Sequence, residues 1–288
     1  MIQAMIACMA RRIAVVGNAG IGKEYIELVI LLWRARRELR PDYTLDDFFN
    51  GIDVIARVER DNRTDLFFKS DQLHYGIEHT DWPNLSRLDS KTTLLLYEPC
   101  ESENEIHECG ITDGRVWATA SPMPTRYKEF SKTDCAVKYM ECATDDELVF
   151  MAAVQEQGLD VNSPLKGLYK PASVRERIQT LGPFQRVVLP TSTSALDVEK
   201  QNKNAALAIM TSEKLLKAWN ISEESSNDGL SISRHLLRMS PNMDNILESY
   251  TLKPASNEVK EKLGDMLFKT DVMAMRAQLA RYNDNESW

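Results

Sequence analysis

The chain has 288 residues, 43% of them hydrophobic and 27% charged, a make-up that permits a sizeable core and lies far from that of disordered chains. A net charge of -8 gives no support to a broad nucleic-acid surface, although whole-chain charge does not exclude a local basic patch. Five cysteines (Cys8, Cys100, Cys109, Cys135 and Cys142) are odd in number and lack the spacing of a disulfide framework, which fits a reducing intracellular compartment, cytoplasmic or nuclear.

In chain order, MIQAMIACMARR is too short to span a bilayer, and no membrane association is expected. Ile13 to Val16 reads as a strand running into a glycine-rich turn, and Glu24 to Arg40 as a helix stopped by Pro41. The apolar run Tyr25 to Trp33 inside that helix is broken by Glu27 and reads as buried. Ile52 to Arg60 and Asp65 to Ser70 flank Asp61 to Thr64 as a predicted hairpin. Polar, turn-rich sequence then runs to Ser90, placing His74 and His79 in a loop as surface or packing residues.

Thr92 to Glu98, TTLLLYE, is nearly continuous in apolar residues, as expected of a strand buried on both faces of a parallel sheet. Arg115 to Ser121 and Ala136 to Cys142 are further core strand candidates. Asp145 to Gln157 begins with acids and continues at helical spacing. Beyond Ser173 the pattern becomes mainly helical, with helices predicted at Val174 to Leu181, Lys200 to Trp219, Ser231 to Met239 and Asn257 to Tyr282. Ser222 to Gly229 is the best internal linker.

The expected architecture is therefore an α/β, P-loop NTPase-like three-layer domain over residues 12–172, followed by a mainly helical part over 173–288.

Gly17, Asn18, Ala19, Gly20, Ile21, Gly22 and Lys23 match the GxxxxGK pattern between an apolar strand and a helix. Such a loop turns its backbone N–H groups toward phosphate oxygens, the helix adds its positive dipole end, and Lys23 reaches the β- and γ-phosphates. Glu24 stands where Ser or Thr offers a hydroxyl to Mg2+. A carboxylate there can ligate the metal but also sets negative charge beside phosphates. Glu98, ending the TTLLLYE strand, is the candidate for holding Mg2+ or orienting an attacking water, on the condition that this strand neighbours Ile13 to Val16. Ser121 closes the RVWATAS strand, where P-loop ATPases of the AAA-like and STAND types carry a polar residue sensing the γ-phosphate. Arg126, Lys128 and Lys132 either approach phosphate or form a solvated loop, the second being the plainer reading of the sequence alone. Cys100, His107 and Cys109 lack the paired spacing of a zinc site.

These features resemble, in order, the P-loop ATPase module of the Crinkler and retrotransposon hot spot (RHS) proteins. The resemblance rests on GNAGIGK, IDVIARVERDNRTDLFF, LLLYEP, ATASPMPTRYKEFSK, KYMEC with TDDEL, VRERIQTLGPFQRVVL, SRHLLRMSP and YTLKPASNEVKEKL, spanning about Arg12 to Leu267. It implies binding of ATP or GTP with Mg2+, phosphate held by Lys23, the Walker B place taken by Glu98 and the sensor place by Ser121. Arg186 in GPFQR would contact nucleotide from the helical part, in a turn where Pro183 and Phe184 depart from the family's pattern. A protein partner responding to nucleotide state is also implied, and delivery into a host cell is known for Crinklers. The family's appended nuclease-like or kinase-like domain and its translocation header are not recognised in these residues, so a stand-alone or truncated module is expected. Two functions remain open: an NTPase, or a nucleotide-binding interaction module without turnover.

Overall fold

A computed structural model describes residues 11–36, 48–58, 64–68, 74–77, 90–98, 113–121, 135–215, 235–242 and 249–285. The chain forms two compact units, one comprising residues 1–141 and 240–251, the other residues 142–239 and 252–288.

The first unit is built on a sheet of seven strands in the order β4-β3-β2-β5-β6-β1-β7. They are β1 (Arg12–Gly17), β2 (Val54–Val58), β3 (Thr64–Phe68), β4 (His74–Ile77), β5 (Thr93–Tyr97), β6 (Arg115–Ala120) and β7 (Cys135–Met140). β1 pairs parallel with β6 and β7, and β5 pairs parallel with β2 and β6. β2 and β3 pair antiparallel in the expected arrangement, and β3 pairs antiparallel with β4. The fold is thus α/β with a mostly parallel sheet.

The Leu94-Leu95-Leu96 run has a simple cause. Leu94 and Leu96 join a core with Ile13, Val15, Ile55 and Trp117, whereas Leu95 and Tyr97 join a second cluster with Ala56, Val58, Val116 and Ala118. Successive strand residues face opposite ways, so a strand buried on both faces has no polar positions to alternate with. Helix α1 (Lys23–Ala35) lies on the first face, burying Lys23, Ile26, Glu27 and Ile30 at helical spacing. Ile26 and Ile30 belong to the core containing Trp117.

The second unit contains α2 (Asp145–Gln157), α3 (Pro171–Leu181), α4 (Gln185–Val188), α5 (Thr193–Ile209) and α6 (Asn257–Asn285). α2 starts at a capping box, in which Thr144 Oγ1 accepts from the Glu147 amide and Glu147 Oε2 accepts from the Thr144 amide. Leu148, Ala152, Val174, Ile178 and Val188 form one core, and Ala206, Leu215, Leu236, Val259 and Leu263 another. Arg177 is buried and donates from Nε and Nη2 to the Val188 carbonyl at the end of α4 and from Nη2 to the Leu168 carbonyl ahead of α3, satisfying acceptors that packing would otherwise leave unpaired.

Several sequence expectations need correction. The segment read as polar turns before Ser90 contains β4, so His74 is a strand residue; four residues with one glycine are too short for a period-2 signal, and the antiparallel partner β3 supplies what local pattern does not. His79 lies outside the described residues. The helix expected at Lys200 to Trp219 instead starts at Thr193, where Ser192 Oγ accepts from the Ala195 amide, and ends at Ile209 because Met210 is extended. The expected helix at Ser231 to Met239 gives way to a strand, β8 (Leu237–Pro241), paired with β9 (Tyr250–Pro254). Leu, Arg and Met favour a helix locally, but pairing with the following strand β9 and burial of Leu237 and Met239 override that preference.

Candidate functional site

Open α/β sheets present ligand sites at the carboxyl ends of their parallel strands. Gly17 to Lys23 occupies that end of β1, between the strand and α1. Gly20 and Gly22 have positive φ, 77° and 85°. Gly22 is the left-handed N-cap of α1, a conformation costing other residues roughly 1–2 kcal/mol. At Gly17 the constraint is space: a Cβ would lie 2.7 Å from Ile21 Cδ1 and 3.1 Å from the Met140 carbonyl oxygen. Asn18, Ile21 and Gly22 are buried, whereas Ala19 is exposed.

Lys23, the first residue of α1, is 6% exposed. Its Nζ donates to the carbonyls of Gly17 at 2.9 Å and Asn18 at 2.8 Å. The ammonium therefore folds back across the loop, holding its two ends together. Glu24 is half-buried beside it.

Four more polar residues share this face of the sheet. Trp117, in the core against α1, fixes the facing of β6; two residues on comes Thr119, and two further Ser121. By the same alternation Glu98 follows Leu94 and Leu96, and Arg57 follows Ile55. Glu98 is 9% exposed, and its amide donates to the Val58 carbonyl at 3.1 Å. Ser121 Oγ is buried and has no hydrogen-bond partner among the described residues. A buried hydroxyl left so is the kind of group a ligand completes.

The condition placed on Glu98 is not met, because β5 does not neighbour β1; β6 lies between them. Glu98 therefore stands two strands from the phosphate loop, and Ser121, on the intervening strand, stands one away. Strand order is a tertiary property, and equally apolar strands carry no label of their neighbours.

The sequence reading missed Glu27 as a site residue. It lies one turn after Lys23, is 1% exposed, and accepts from Thr119 Oγ1 at 2.8 Å through Oε1 and from Arg57 Nε at 3.3 Å through Oε2. Burial pushes its pKa up to about 7; the Thr119 and Arg57 contacts pull it down, and the negative charge of Glu98 adds a smaller upward push. The available signal was an acid interrupting the apolar stripe of α1, four residues past the lysine.

Arg186 belongs to the second unit and is exposed on α4. Cys100, His107, Cys109, Arg126, Lys128 and Lys132 lie outside the described residues. Among the described residues no group of His, Cys, Asp and Glu is arranged to hold a metal by protein ligands alone, and no helix is long and apolar enough to cross a membrane. Compared with protein-family models and with curated proteins, the chain matches none.

Proposed function

We propose that the first unit is a P-loop nucleotide-binding domain of the Crinkler/RHS type that takes a nucleoside triphosphate, ATP by preference, with Mg2+. The observation that carries this reading is Lys23 drawn across the glycine loop onto the Gly17 and Asn18 carbonyls, at the junction of a buried parallel strand and a helix N-terminus. The residues fit the ligand's chemistry. Backbone N–H groups and the helix dipole suit phosphate oxygens, Lys23 supplies a compact cation, and Ser121 Oγ is an unsatisfied hydroxyl on the adjacent strand.

Mg2+, when bound, would neutralise phosphate charge; Glu24, next to the lysine, would hold it directly, and Glu98, two strands from the loop, would reach it through water. Lys23 orients the phosphates, and Glu98 orients water. The nucleotide state is read by a protein partner inside the cell.

Calorimetric titration of ATP with Mg2+ tests the reading: Lys23→Ala should weaken binding on the order of 10- to 100-fold, the value of a charge-assisted contact. Equal affinity in parent and variant would remove the assignment.

Glu24 motivates a second reading, binding without turnover. If the parent is inactive and Glu24→Ser creates hydrolysis, that reading holds; turnover in the parent that Glu98→Gln abolishes would end it.

A further inference from the structure

Glu27 joins three elements of the first unit through one side chain: its own helix α1, β6 through Thr119, and β2 through Arg57. An acid buried at a core-facing position is a costly way to hold a helix on a sheet, since an aliphatic side chain would do so without desolvating a charge. The charges acting on it are Arg57 on β2, which donates to it, and Glu98 on β5, while β6 offers the neutral Thr119; Lys23 and Glu24 precede it on α1, and buried Asp65 on β3 is the register partner of Arg57. Thr119 precedes Ser121 by two residues on one face of β6, and Lys23 precedes Glu27 by one turn on α1. The Glu27–Thr119 hydrogen bond thus ties the segment bearing the lysine to the segment bearing the unsatisfied hydroxyl.

We propose that Glu27 is a positioning residue of the nucleotide site: its ionised carboxylate draws β6 and the Arg57 guanidinium onto the phosphate-loop helix and so sets the spacing between Lys23, Glu98 and Ser121. This rests on the phosphate-loop reading above. An ionised Glu27 accepts at both oxygens at once. Protonation turns one oxygen into a donor, which cannot accept from Arg57 Nε, and removes the charge that strengthens the Thr119 contact, so both sides of the clamp weaken together. With the Glu27 pKa pushed up to about 7, opening and closing fall in the neutral range. Nucleotide affinity therefore rises with pH there.

The test is titration of a fluorescent ATP analogue with Mg2+ at about pH 6 and about pH 8, for the parent, Lys23→Ala, Glu27→Gln and Thr119→Val, with circular dichroism of each protein. The parent should bind about 3- to 10-fold more tightly at the higher pH, and Glu27→Gln should keep only the smaller slope of the nucleotide's own titration. Thr119→Val should lower affinity several-fold at about pH 8 and little at about pH 6. If Glu27→Gln does not fold, the parent slope and Thr119→Val, which lacks a single hydroxyl, decide the matter. A slope shared by parent and Glu27→Gln, an affinity in the parent that falls with rising pH, or a Thr119→Val effect equal at both pH values would overturn the proposal. When binding depends on Lys23 but those differences are absent, this inference alone fails; when the parent does not bind, or Lys23→Ala binds equally, the phosphate-loop reading fails with it.

Discussion

Glu27 is an acid kept 1% exposed on the core-facing side of α1, where ionisation is costly. Its folded pKa of about 7 lies above the ordinary 4.5, so between those values the folded chain holds a proton that the unfolded chain has released. Stability from this group is fully present below about 4.5 and is lost as pH rises through about 7. A shift of that size in a group 1% exposed is worth on the order of 3 kcal/mol. Urea unfolding of the parent and Glu27→Gln at about pH 5 and about pH 8 should show the variant gaining relative to the parent by that order as pH rises. A difference independent of pH would contradict the raised affinity for the proton. Lys23 was legible in the sequence because its motif is local. Glu27 was not, because its meaning depends on Arg57, 30 residues away, and Thr119, 92 residues away.

At the scale of elements, what the sequence disclosed followed the strength of local signals. The Asp145–Gln157 helix was bounded correctly because acids fill its first turn; the box that Thr144 and Glu147 close at its start, and Gly158 at its end, became visible as such in the structure. β8 and β4 were missed because each is only four or five residues long, too short for a decisive period-2 signal of its own, so that pairing with the neighbouring strand decides its form. A connection that sequence could not evaluate is Gly182, which ends α3 at φ 101°. A Cβ there would collide with the carbonyl oxygen of Ala255, a backbone atom that cannot swing aside. Gly182→Ala should therefore lower the unfolding free energy by about 1–3 kcal/mol, measured by denaturant titration. A neutral result would mean that the segment around Ala255 yields more readily than a hydrogen-bonded turn should; the Ala255 amide itself donates to the Leu236 carbonyl at 2.8 Å.

For the whole molecule, composition and apolar runs were enough to anticipate an α/β sheet followed by a mainly helical part, while strand order was not. β5 and β6 are both largely apolar and each is followed by a polar residue, Glu98 and Ser121, and only the strand pairing places β6 against β1 and β5 beyond it. That order sets Glu98 two strands from the phosphate loop and Ser121 one, while Glu27 on α1 contacts β6 and β2. A ligand bound by the folded chain alone adds RT ln(1 + [L]/Kd) to its stability, about 2.7 kcal/mol at a hundredfold excess over Kd. Thermal melts with MgATP at such an excess should accordingly rise by a few degrees in the parent and not in Lys23→Ala. An equal rise in both would place nucleotide binding away from the loop.

β1 is hydrogen-bonded along both sides, to β6 from Arg12 to Val16 and to β7 from Arg12 to Gly17. Its amides can therefore meet solvent only when the sheet itself comes apart, whereas those of the glycine loop just beyond it have no ladder to leave. In deuterium exchange the boundary should fall within a residue or two of Gly17, with Ile13 to Val16 among the slowest positions of the unit and Asn18 to Gly22 exchanging by local opening. Nucleotide should slow the second set and leave the first unchanged, so that a loop and its strand, contiguous in the chain, keep separate clocks.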